Sequence, residues 1–125
     1  MELEHSEVTE QIIGAAIEVH RELGPGLLES AYRACMVHEL ALRGLDVATE
    51  VPIPLEYKGL HLTTCYRLDV VVEGAVVLEL KAIKTLERVH HAQLLSYLRL
   101  SGLHVGLLIN FHVPVLREGL RRIVR

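Results

Sequence analysis

What the chain lacks narrows its class before any motif is read. It has only two cysteines, Cys35 and Cys65, in unrelated contexts and without metal-ligand spacing. Free thiols in a cytoplasmic protein are the expectation. No apolar run approaches the ~18 residues that span a bilayer, so no membrane association is expected. There is no low-complexity tract, and 50% of the residues are hydrophobic, which argues against a disordered chain. The opening MELEHSEVTEQ is acidic and polar, unlike a secretion signal. An excess of basic residues is missing too, and the net charge of −3 argues against a protein that coats duplex DNA. At 125 residues the expectation is one domain, 1–125, built on a single core.

The charge is unevenly spread. Residues 1–50 hold three Lys and Arg against ten Asp and Glu, a net of −7, whereas residues 51–125 carry a net of +4. A polyanion would meet the second part of the chain.

That second part contains RLDVVVEGAVVLELK, Arg67 to Lys81. Two valine-rich runs, Leu68–Val72 and Ala75–Leu80, are broken by Glu73-Gly74, which signals a hairpin. Asp69, Glu79 and Lys81 stand out as charges inside β-runs. Side chains on a strand alternate faces, so Glu79 and Lys81 point the same way. A two-residue loop would send Asp69 to the other face. A three-residue loop, Glu73-Gly74-Ala75, sets it opposite Glu79, and that is the expectation, with Gly74 or its neighbour at positive φ. Charges in such a place need compensation. One reading is a structural ion pair of Asp69 or Glu79 with Lys81. The other is a hard-cation site, since two carboxylates, a backbone carbonyl and waters suit Mg²⁺, with Lys81 holding the attacking water.

Around this hairpin the periodicity predicts a helix capped by Ser6 or Thr9 and running to about Leu23, ended by Gly24-Pro25-Gly26. A second helix follows, about Leu27 to Arg43, with Glu29 in its first turn, where the helix dipole alone accounts for it. Asp46–Leu55 alternates with Val47, Thr49, Val51, Ile53 and Leu55 on one side; Pro52 and Pro54 cannot donate to a sheet, so the strand lies at an edge or frays there. Lys58-Gly59 reads as a turn and Leu60–Thr64 as a short strand. Thr85 caps a third helix to about Leu100, with Leu86, Val89, Leu94, Tyr97 and Leu98 as its stripe. Gln93 and Tyr97 share a face, with His90 one turn earlier. His104–Asn110 is an interior strand. In Phe111–Arg125 a turn at Glu118-Gly119 into a short strand is preferred over a terminal helix. The fold class is α/β (α+β), a mixed sheet of four to five strands flanked by helices.

Asp69 followed by Glu79-Leu80-Lys81, after a helix bearing Glu29 and before one bearing Gln93 and Tyr97, resembles the PD-(D/E)xK nuclease superfamily. Within it, Gly26-Leu27-Leu28-Glu29-Ser30-Ala31-Tyr32 looks like the name-giving motif of the GxxExxY family, as do Ala92–Leu98 and Leu107–Phe111. The resemblance covers nearly the whole chain; one departure is Leu68 where many superfamily members have proline. It implies a nuclease-like core and a metal-dependent nuclease acting on nucleic acid, DNA favoured. Asp69 and Glu79 would bind Mg²⁺ (Mn²⁺ as a substitute) with the Leu80 carbonyl, Lys81 would position the water, and Glu29 would reach the metal directly or through water. Gln93 would line the site with Tyr97. Apart from the resemblance, the helix face that His90 shares with them makes it a further candidate for the site wall, within reach of phosphate or water. Tyr32 is read as core.

Two other classes compete. A nuclease-like fold serving as a weakly catalytic or inactive binding module, assembled as a homo-oligomer with a dimer first, fits the acidic charge and the absence of a separate DNA-recognition domain. A zinc site is prompted by eight histidines, but His90 and His91 diverge by ~100° on a helix and the rest have no ligand spacing.

Overall fold

The computed structural model describes residues 3–125, the Thr64 side chain excepted. Its elements are α1 (Ser6–Leu23), α2 (Glu29–Leu42), β1 (Val47–Tyr57), β2 (Leu60–Val72), β3 (Val76–Lys81), α3 (Arg88–Ser101), β4 (Val105–Asn110) and β5 (Leu120–Val124). A short 3-10 turn, Leu116–Gly119, leads into β5. The five strands form one sheet in the order β1-β2-β3-β4-β5. All neighbours are antiparallel except β3 and β4, which run parallel. A parallel pair needs a crossover, and α3 supplies it. The arrangement is thus a mixed α+β fold, with β1 at an edge as its prolines require. No helix among the described residues is long and apolar enough to cross a membrane.

Each face of the sheet carries its own core. On one side Ile12, Ala16 and Val19 of α1 and Tyr32, Met36 and Leu40 of α2 pack on Val70, Val72, Val76, Leu78, Leu80, Leu107 and Ile109. On the other, Leu94 and Leu98 of α3 pack on Ile53, Leu68, Val71, Val77, Leu108 and Ile123. The period-2 alternation of β3 is plain here: Val76, Leu78 and Leu80 lie under α1 and α2, and Val77 lies under α3. Glu79 and Lys81 share parity with Val77. Strand β4 is buried along its whole length, as helices on both faces require. Gly106 lets α3 approach it, since a Cβ there would sit 3.0 Å from the Leu94 side chain.

The hairpin loop is Glu73-Gly74-Ala75, with Val72 paired to Val76. Both Glu73 (φ 56°) and Gly74 (φ 61°) are left-handed. Several expectations need correction. The single apolar side of β1 does not form: Val47 packs under α1 and α2, whereas Val51 and Ile53 pack under α3. Glu50, at φ 50°, resets the alternation between them. The paired strand switches at the same level, for Leu68 and Val70 belong to opposite cores. Leu60 to Val72 is one continuous strand rather than a short strand followed by another. Helix α2 begins at Glu29, two residues after the expected Leu27.

Helix α3 begins at Arg88, not at Thr85. The Asn110 side chain explains the delay. Its amide oxygen accepts the Ile83 N–H at 3.0 Å and its amide nitrogen donates to the Ile83 carbonyl at 2.9 Å, holding the chain extended after Lys81. The helix is then capped by Glu87, whose N–H donates to His90 Nδ1 at 2.8 Å. That shift turns Val89 outward, 63% exposed, so it is not part of the stripe.

Candidate active site

Strands β2 and β3 stay in register only as far as Val70 opposite Leu78. One step further lie Asp69 and Glu79, and here side chains take over from the backbone ladder. The Leu80 N–H donates to Asp69 Oδ2 at 3.1 Å, and the Asp69 N–H reaches Glu79 Oε1 at 3.4 Å. Because N–H and C=O of one strand residue point to the same side, the Leu80 carbonyl also faces Asp69. The Leu80 side chain turns the other way, into the core under α1 and α2.

Glu29 reaches this opening from the first turn of α2, where the helix dipole favours a carboxylate. Its delivery depends on the segment before it. Gly26 takes φ 101° at the bend. The buried Tyr32 ring stacks on Phe111 with centroids 4.5 Å apart. Its hydroxyl donates to the Gly24 carbonyl at 2.5 Å and accepts the Leu27 N–H at 3.1 Å. Tyr32 is therefore core and also the tie that fixes how the chain enters α2. From the far side, α3 contributes Gln93 and Tyr97, four residues apart on one helix face.

Glu29, Asp69, Glu79, Lys81, Gln93 and Tyr97 line one cavity of about 270 Å³. His90 does not; it is engaged at the start of α3. Three further residues line it that the sequence reading did not single out: Arg33, Glu50 and Arg67. Arg33 is the most consequential. Its Nε donates to Asp69 Oδ1, and its terminal nitrogen donates to Glu29 Oε2 at 2.8 Å. The structural ion pair considered for Lys81 is thus made by Arg33, and Lys81 forms no ion pair among the described residues. The signal for Arg33 was available locally, since it stands four residues after Glu29 on one helix face. Glu50 had no such signal, because its place follows from the left-handed kink in β1.

Electrostatically the cavity has a surplus of carboxylate at one point. Glu79 is only 8% exposed. Burial first, and then the neighbouring Asp69 carboxylate, push its carboxyl up to about 7 from the ordinary 4.5, against the opposing pull of the Asp69 N–H and of Lys81. Burial likewise raises the Tyr97 phenol, with Glu79 adding to the rise. Three oxygen donors, Glu29, Asp69 and Glu79, converge on the cavity, so the donor chemistry fits a hard divalent ion. Among the described residues no three His, Cys, Asp or Glu side chains are already drawn together as a metal cage. The Arg33 guanidinium instead holds one oxygen of Asp69.

Over residues 6–123 the sequence matches the family model described as the PD-(D/E)XK nuclease superfamily. No curated protein and no solved structure matches. The span of that match takes in both helices before the sheet, the carboxylate-bearing hairpin, the crossover helix and the last two strands, and the chain belongs to the PD-(D/E)XK nuclease superfamily.

Proposed function

We propose that the protein hydrolyses phosphodiester bonds in nucleic acid, DNA by preference, with Mg²⁺ (or Mn²⁺ in its stead) held by Asp69, Glu79, the Leu80 carbonyl and Glu29. The observation that carries this reading is the opening between β2 and β3, where two carboxylates and the edge of Leu80 replace the backbone ladder beside Lys81. A divalent ion there would supply a nucleophilic water at neutral pH and neutralise the leaving oxygen. The Lys81 ammonium orients the attacking water and offsets the charge that develops on phosphorus. Gln93 and Tyr97 wall the water in from α3. Arg33, once freed from Asp69, presents a planar fork to a phosphate oxygen. The order GLLESAY supports the narrower GxxExxY grouping, and two free thiols suit a cytoplasmic setting.

Digestion of single-stranded DNA, duplex DNA and RNA with Mg²⁺, Mn²⁺ or a chelator tests this reading. Cleavage should need the metal and be lost in Asp69→Ala, Glu79→Ala and Lys81→Ala variants that still fold. Undiminished cutting by Asp69→Ala or Lys81→Ala ends it. A second reading, a nuclease-fold binding module assembled as a homo-oligomer, draws support from Arg33, which already neutralises Asp69 without a metal. Calorimetric titration separates the two: no heat with Mg²⁺ or Mn²⁺, together with a stable dimer, favours the module.

A further inference from the structure

A second hollow of about 330 Å³ adjoins the catalytic cavity, lined by Leu55, Tyr66, Gln93, Ser96, Tyr97 and Leu100. The two share Gln93 and Tyr97, so they are compartments of one continuous surface. The chain has only four tyrosines and one phenylalanine. Tyr32 and Phe111 are stacked in the core, and Tyr57 lies beneath Lys58 at the distant β1–β2 turn. The remaining two, Tyr66 and Tyr97, line this hollow side by side as a tilted aromatic pair, with centroids 5.9 Å apart and an interplanar angle of 52°.

Sealing the core explains Tyr97, which packs against the apolar cluster under α3, but it does not explain Tyr66. Tyr66 is 41% exposed and lies outside both apolar clusters. Its partner on β1 is Ile53, at the point where the β1–β2 register shifts. It stands three residues before Asp69 on the same strand. A tyrosine held half-open beside a second aromatic leaves a ring face free, and the rim supplies apolar contact from Leu55 and Leu100. The Gln93 amide and the Ser96 hydroxyl add groups that can hydrogen-bond a base edge.

We infer that this hollow is a nucleobase subsite, in which Tyr66 and Tyr97 take up one unstacked base next to the phosphodiester held in the catalytic cavity, so that the substrate is a single strand or a splayed strand end. The inference rests on the nuclease reading for its orientation and extends it to a substrate class. A base can enter only if it is free of its stack and of its partner, because the flat faces that Tyr66 would cover are occupied in a duplex.

The test is binding rather than cutting, with the full chain in chelator and with oligothymidylate and a duplex of equal length as probes. Tyr66→Ala should weaken oligothymidylate binding by about tenfold, the loss of one base–aromatic stack, and leave duplex binding unmoved. Tyr66→Phe keeps the ring and should bind like the parent. Since the chain has no tryptophan, Tyr66→Trp makes a single reporter whose emission oligothymidylate should quench and the duplex should not. Equal losses for both probes overturn the inference, as does an oligothymidylate affinity that Tyr66→Ala leaves unchanged. A Tyr66→Phe defect as large as that of Tyr66→Ala also overturns it. A chain that cuts nothing yet shows the Tyr66 pattern would keep the subsite and lose the nuclease reading; metal-dependent cutting without that pattern would do the reverse.

Discussion

Exchanging Glu79 for glutamine removes one proton-binding group while keeping an acceptor for the Asp69 N–H, and its effect on stability is set by the environment of that carboxyl. In the folded chain the group titrates at about 7 instead of the ordinary 4.5. Between those two values the folded state holds a proton that the unfolded state has released. Folding stability therefore falls as pH rises through that window and stays at its lower level above about pH 7. At about 1.4 kcal/mol per pH unit, the penalty at pH 8 is on the order of 3 kcal/mol. Glutamine does not ionise, so Glu79→Gln should match the parent near pH 4.5 and exceed it by roughly 2–3 kcal/mol near pH 8, equivalent to about 10 °C in melting temperature for a chain of this size. Urea unfolding in chelator, followed by circular dichroism across that range, reads the gap directly. Added Mg²⁺ should narrow it by stabilising the parent. Parallel curves for the two proteins, or a gap that closes as pH rises, would refute the account of Glu79.

Arg33→Gln removes the cation that competes for Asp69, so Mg²⁺ should bind several-fold tighter by calorimetry even as turnover falls; weaker binding would mean Arg33 helps to hold the ion. Tyr32→Phe deletes the hydroxyl that ties Gly24 and Leu27, and should cost about 1–2 kcal/mol in denaturant unfolding. Asn110→Ala leaves the half-buried Ile83 amide and carbonyl without their partners, a loss of about 1–3 kcal/mol by the same measurement. An effect below about 0.5 kcal/mol would show that the chain after Lys81 needs no clamp.

The central hairpin was legible because its constraints are local. Valine runs and a Glu-Gly break marked the turn, a three-residue loop was expected over a two-residue one because it sets Asp69 opposite Glu79, and Val72 does pair with Val76. Prolines at 52 and 54 assigned β1 to an edge for an equally local reason, the missing N–H. The final strand was legible from Glu118-Gly119. What escaped depended on distant partners. The spacing of Arg33 to Glu29 is local, but its grip on Asp69 exists only once β2 brings that carboxylate to it. Glu50 looks like one more alternating strand residue, yet its positive φ carries Val51 to the opposite face from Val47. Thr85 is a sound cap by composition, and only the grip of Asn110 on Ile83, contributed from another strand, postpones α3.

The tie between Tyr32 and the bend at Gly26 divides the labour of GLLESAY unequally. The outer two landmarks build a doorway, and they would be demanded by any chain that folds this way whether or not it performs chemistry. Only the middle landmark, Glu29, looks into the room. A scan of genomes that scores the glycine and the tyrosine is thus counting architecture, and under the proposed function the acid between them is the letter that bears on chemistry.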